Sequence, residues 1–208
     1  TWLIRGIVIL PALLVVFLGF YIHHYQPQDI EWLPQYDRFR VWADPAAFPH
    51  TGAQLLSAME NVRLGNWQGA GLSMFGANDA VIKVPAIQND FIAAFLLHRF
   101  GGKTGLTLLV SQLVFLMVLA MLSGHAQQLS KGRDFKDRET WQVFSLILFG
   151  TTWMYAVHWL ISWGNVLGLL PVMGQPMTWI SAANSHLLFF ALPALYLSLI
   201  LAWLIANE

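Results

Sequence analysis

The chain has 208 residues, of which 11% are charged and 57% hydrophobic, with eleven Lys and Arg balanced by eleven Asp and Glu. A soluble domain carries about 25% charged residues, so much of this surface does not face water, and the charge balance gives no net field to draw nucleic acid or an anionic membrane. The absence of cysteine excludes disulfides and thiolate metal sites, and leaves no redox clue to compartment. Ten Trp point the same way as the low charge, because the amphipathic indole gathers at membrane–water boundaries. The first residue is Thr1 rather than Met, as in a chain that is processed, truncated or part of something longer.

In chain order, Gly6 to Ile22 holds no charged residue and predicts a first span, with Pro11 tolerated near its start. A cleavable signal peptide is the competing reading; no small-residue cleavage site follows, and Tyr21-Ile22-His23-His24-Tyr25 resembles an interfacial exit. Residues 23–90 form a long water-facing loop. Within it, Thr51 to Val62 predicts an amphipathic helix with Leu55, Leu56, Met59 and Val62 on one side. Glycines at 65, 69, 71 and 76 then predict turns.

The second span is expected over 91–123. As one helix that segment would be roughly 50 Å long at 1.5 Å per residue, so its first third, carrying Arg99 and Lys103, is expected to tilt, to bend at Gly101-Gly102 or to stand clear of the lipid. From Thr140 to Asn207 there is no Asp, Glu, Lys or Arg, and Gly164-Asn165, Pro171, Gly174 and Pro176 interrupt the run. The expected third and fourth spans are 141–163 and 186–208, joined by a loop over 164–185. The fold class is thus all-α, a polytopic membrane protein of four transmembrane helices with one long extracytoplasmic loop. Lys131, Arg133, Lys136 and Arg138 crowd the linker over 124–140, whereas the linker between spans three and four has no basic residue. The positive-inside rule places the 124–140 linker and both termini in the cytoplasm.

Several stretches together resemble the SEDS family (FtsW/RodA/SpoVE). They are Arg38-Phe39-Arg40-Val41-Trp42-Ala43-Asp44-Pro45, Gly52-Ala53-Gln54, Gly65 to Leu72, Lys83 to Ile92, and Gly168-Leu169-Leu170-Pro171-Val172-Met173-Gly174 followed by Ile180-Ser181. They are similar in order and spacing to that family's large extracellular loop and final helices. The resemblance implies the last four helices of a ten-helix fold in the bacterial cytoplasmic membrane. It also implies a peptidoglycan glycosyltransferase that polymerises lipid II beside a class B penicillin-binding protein, in cell division or cell shape. Where the family reads I-S-Y-G-G-S-S, this chain has Ala182-Ala183-Asn184-Ser185-His186 after Ser181, and Asn89 replaces a Thr before Asp90. Those departures suit the alternative of a pseudoenzyme that serves as a membrane scaffold subunit in a larger assembly; a lipid-sugar carrier is a third reading.

A sugar hydroxyl is a poor nucleophile and wants a carboxylate as general base. Asp90 stands where the water-facing loop becomes a membrane helix, and partial desolvation there strengthens a base. The alternative is that Asn89 or Asp90 merely caps the helix. Arg38, Arg40 and Lys83 are candidates to bind the diphosphate, or else pair with Asp37, Asp44 or Asp79. Ser181 and Ser185 are candidates to contact sugar hydroxyls, Ser185 otherwise capping the last helix. The cofactor is open, a divalent cation at the leaving diphosphate being one option. No clustered ligands accompany His23-His24 to make a metal site.

Overall fold

The computed structural model describes residues 17, 19–22, 24, 31–71, 89–131, 134–182, 185 and 187–206. Most of the expected first span, and Lys83 with its neighbours, lie outside them. The described elements are all helical: α1 (Tyr36–Ala43), α2 (Gly52–Gly65), α3 (Ile92–Leu129), α4 (Phe135–Val166) and α5 (Leu192–Ala206), with a 3-10 turn at Pro45–Ala47 and a π-turn at Leu187–Ala191.

Among the described residues, three helical stretches are long and apolar enough to cross a membrane: Ile92–Leu129, Asp137–Val166 and Leu187–Ile205. The outer face of α3 explains why they belong there. Leu106, Leu109, Val110, Leu113, Val114, Met117, Val118 and Met121 are each 41–67% exposed. So large a contiguous apolar patch is unfavourable in water and ordinary against lipid. Both α3 and α4 run beyond the apolar intervals expected for them, because polar residues such as Gln127 and Glu139 continue a helix readily once it leaves the apolar layer.

The inward faces meet in one core. Phe91, Ala93, Ala94 and Leu97 of the α3 region pack with Ala58 of α2 and with Leu148, Tyr155, Trp159 and Val166 of α4. The short 130–134 connection makes α3 and α4 antiparallel. Reciprocal bonds tie them at one end, with Ser123 Oγ donating to the Ser145 carbonyl and Ser145 Oγ donating to that of Ser123, both at 2.9 Å. Nearer the other end Trp163 Nε1 donates to Gln112 Oε1 at 2.8 Å. Such cross-helix polar contacts replace partners that lipid cannot supply.

The bend expected at the glycine pair is a backbone exchange. Gly101 has φ 79° and ψ 178°, which breaks the helical ladder inside α3. In an unbroken helix, Gly102 N–H would donate to His98 and Lys103 N–H to Arg99. Here they donate instead to the carbonyls of Asn66 and Trp67, at 2.8 and 3.4 Å. The freed carbonyls of His98 and Arg99 accept from the N–H groups of Ala70 and Gly71, at 2.8 and 2.9 Å. The turn after α2 thus satisfies all four groups that the break releases, which is what makes the break tolerable beside an apolar layer. The approach is close enough that a methyl at Gly69 would overlap the Arg99 carbonyl, and one at Gly101 the Trp67 carbonyl.

Helix α2 covers residues 52–65, but its buried face is Gly52, Leu55, Ala58, Asn61 and Gly65. Leu56 and Met59, expected on the buried side, are 43% and 41% exposed. The small residues turn inward because α3 approaches closely: a methyl at Gly65 would overlap the Leu97 carbonyl.

Candidate functional site

Four segments separated in sequence converge at the end of the bundle from which α2 extends. Asp37, Arg38, Val41 and Trp42 come from α1, Thr51 and Gln54 from the start of α2, Asp90 from the turn before α3, and Val172 and Gly174 from the chain after α4. They enclose a cavity of about 310 Å³ with mixed polar and apolar walls.

Asp90 is free of the capping role that its position suggests. The N-cap of α3 is Phe91, with no side-chain cap bond. Phe91 is fully buried and anchors the turn, so the preceding carboxylate is directed to the cavity rather than back onto the helix. Among the described residues no hydrogen bond is made to that carboxylate. Its pKa is raised above the usual 3.8, mainly because burial penalises the charged form, while the Arg38 guanidinium pulls it the other way.

Arg38 does not bond Asp90 directly among the described contacts. Its Nη1 donates to the Val172 carbonyl at 3.0 Å, which holds the positive charge beside the carboxylate and leaves both groups oxygen- or donor-accessible from the cavity. One helical turn on, the buried Trp42 donates its Nε1 to the Gly168 carbonyl at 2.8 Å. Gly168 closes the C-terminus of α4: with φ 68° it lets Leu169 N–H donate to Gly164 and its own N–H donate to Asn165, at 2.8 and 3.3 Å. This is the glycine-terminated closure that left-handed backbone permits. Gly174, with φ 61°, brings the same segment past Asp90; a methyl there would stand 3.6 Å from Asp90 Oδ2.

The other sequence candidates lie elsewhere. Arg40 is 4.0 Å from Glu31 and lies over the Tyr36 ring at 5.5 Å, and it is absent from the cavity wall. On a helix, residues two apart point to nearly opposite sides, so Arg38 and Arg40 cannot both face one cavity. Ser181 is half-buried in the turn after Met177, to whose carbonyl its N–H donates at 2.9 Å, and Ser185 is exposed. Neither lines the cavity among its described residues. Lys83 lies outside the described residues. Among the described residues no group of three His, Asp or Glu could hold a metal ion.

Trp42, Thr51, Gln54 and Gly174 were not singled out as site residues from the sequence. A signal existed: a Trp between Arg38 and Asp44-Pro45, in a segment read as water-facing, invites a search for what buries it.

The fold and the cavity define a helical membrane protein that lines one cavity, next to the start of a membrane-spanning helix, with a carboxylate and a guanidinium. The family model for FtsW, RodA and SpoVE, described as cell cycle protein, matches residues 1–202. The chain belongs to that family. No curated protein and no solved structure matches it.

Proposed function

We propose that the chain is a glycosyltransferase module of the bacterial cytoplasmic membrane that polymerises lipid II, with Asp90 as general base. In this reading the 4-hydroxyl of one lipid-linked disaccharide attacks the anomeric carbon of a second chain. A C–O bond forms there as the bond from that carbon to the diphosphate oxygen breaks. The hydroxyl proton passes to Asp90, and the polyprenyl diphosphate leaves with the electron pair. Arg38 stabilises developing negative charge; Lys83, Ser181 and Ser185 act at the substrate only if the bound sugar extends beyond the cavity. The long loop faces outward and both termini face the cytoplasm, in keeping with the clustering of Lys131, Arg133, Lys136 and Arg138 at the 130–134 connection and the first turn of α4. A class B penicillin-binding protein is the proposed partner.

The observation that carries this reading is that Asp90 is not spent on capping α3 but faces a cavity, partly desolvated and beside Arg38. A carboxylate whose pKa is raised by burial is a stronger base and suits proton abstraction. A second reading, a scaffold without catalysis, is favoured by Ala182, Ala183 and His186 standing where the family motif has Tyr, Gly and Ser. The two part on polymerisation of labelled lipid II by the purified protein with its native partners. The Asp90→Asn variant is expected to lose activity by a hundredfold or more, as for loss of a general base of roughly 10²–10⁴-fold effect, while remaining folded. Activity retained in the variant removes Asp90 as base, and none in either form, with the assembly intact, favours the scaffold.

A further inference from the structure

Arg38 and Trp42 are four residues apart on α1 and therefore share a face. Their acceptors, the carbonyls of Val172 and Gly168, are also four residues apart, in the opposite order. Helix α1 thus lies antiparallel along the segment that follows α4, held by two side-chain-to-backbone rungs. The rungs are unequal. Arg38 is exposed and gives up much rotamer freedom when fixed, so one bond to a carbonyl holds it weakly. Trp42 is 5% exposed, has only two side-chain torsions, and donates to a carbonyl fixed by the glycine closure of α4. Its ring also packs against Gly19, where a methyl would stand 3.6 Å from the indole Cη2.

We propose that Trp42 is the positioning residue of the Arg38–Asp90 pair: its indole N–H, bonded to the Gly168 carbonyl, sets the register of α1 and hence where the Arg38 charge stands relative to Asp90. Without that bond α1 slips or rotates on the 168–174 segment, and Arg38 loses its place beside the carboxylate. The charged groups that line the cavity with Asp90 are Asp37 and Arg38, both on α1; Thr51 and Gln54 of α2, and Val172 and Gly174, are not titratable. Any movement of α1 is therefore felt at Asp90 through its electrostatics.

This assignment builds on the reading of Asp90 as a base, yet it is testable without turnover. The full chain, in bilayers, is prepared with benzothienylalanine at position 42, which keeps the ring shape and replaces N–H by sulfur. The Asp90 carboxyl is titrated by infrared difference spectroscopy, its band identified by its absence in Asp90→Asn. Loss of the register weakens the cation's pull, so the midpoint is expected to move to higher pH by about one pH unit, the lower end of what a nearby opposite charge contributes. Arg38→Gln is expected to move it in the same direction, and the residue-42 replacement to add nothing in that background. An unchanged midpoint overturns the assignment, as does a movement that persists in full when Arg38 is Gln. If the midpoint moves but lipid II is not polymerised, Trp42 stands and the base reading falls. If Asp90→Asn abolishes polymerisation while the residue-42 replacement moves nothing, the reverse holds.

Discussion

Replacing Gly101 by Ala tests whether the backbone exchange between α3 and the 66–71 turn places Asp90. At φ 79° and ψ 178° the residue occupies a region essentially reserved for glycine, and a side chain held there costs about 1–3 kcal/mol. A methyl would also overlap the Trp67 carbonyl, so the turn must withdraw. Four hydrogen bonds are then lost: from Gly102 to Asn66, Lys103 to Trp67, Ala70 to His98 and Gly71 to Arg99. Two are recovered when Gly102 and Lys103 re-form the ordinary ladder with His98 and Arg99. Once the turn has withdrawn, only the straight form recovers those two, at about 1 kcal/mol each, and it also escapes the strain, so the bent form lies roughly 3–5 kcal/mol above it. At 1.4 kcal/mol per tenfold that is about a hundredfold or more, enough to make the straight helix dominant. Straightening swings residues 92–100 and carries Asp90 away from Arg38. The chain has no cysteine, so spin labels on Gln68→Cys and Gln127→Cys report the geometry by electron–electron distance, beside lipid II polymerisation. The variant is expected to change the label distance and to lose most activity, with helicity undiminished. Gly124→Ala, at a position with open space around it, is the control and is expected to be neutral or to stabilise by up to about 1 kcal/mol. A Gly101→Ala protein with the original distance and full activity refutes the reasoning.

Asp90 titrates above the usual 3.8 because burial disfavours its charge, so the native state binds its proton more tightly than the unfolded chain does. That contribution favours folding at low pH and is lost as pH rises from the ordinary carboxylate range through the raised native value. Asp90→Asn is expected to remove this slope and to leave the protein at least as stable at neutral pH, as read from melting in detergent across the acid range; a variant markedly less stable at neutral pH contradicts the sign. Arg40, which pairs at 4.0 Å with an exposed Glu31, is expected to tolerate Arg40→Ala with a loss below about 1 kcal/mol and unchanged polymerisation, whereas Arg38→Gln impairs it.

Much of this arrangement is legible in the sequence for definite reasons. Uninterrupted apolar runs fix where α3, α4 and the last helix lie, because a buried charge is too costly to place at random. Gly101-Gly102 marks the break, since a helix from 91 onward is too long and carries Arg99 and Lys103 too early. Asp90 and Arg38 stood out by their position and chemistry. What stayed hidden depends on long-range geometry. The acceptors for Arg38 and Trp42 are main-chain carbonyls more than 120 residues away, and every residue has a carbonyl, so no side-chain pattern announces them. The sequence offers both Arg38 and Arg40 as diphosphate ligands, and only the helical conformation of α1 turns them to different sides. The inward face of α2 differs from the one its apolar residues suggest because close approach to α3 selects Ala58 and Gly65 over the larger Leu56 and Met59.

The 168–174 segment gains its importance from that reliance on backbone. It receives α1 through two carbonyls, passes Asp90 at Gly174, and is closed onto α4 at Gly168. Carbonyl acceptors make few demands on the side chains that carry them, so Val172 contributes to the site chiefly through its main chain. The demands fall on the glycines. A methyl at Gly168 would meet Met59 Sδ at 2.8 Å and burden a left-handed conformation, and Gly174 shares that conformation. The G-L-L-P-x-x-G pattern thus acquires a physical meaning in this chain: its first glycine ends α4 and fixes the carbonyl that Trp42 grips, and its last lets the chain pass the carboxylate without closing the cavity over it.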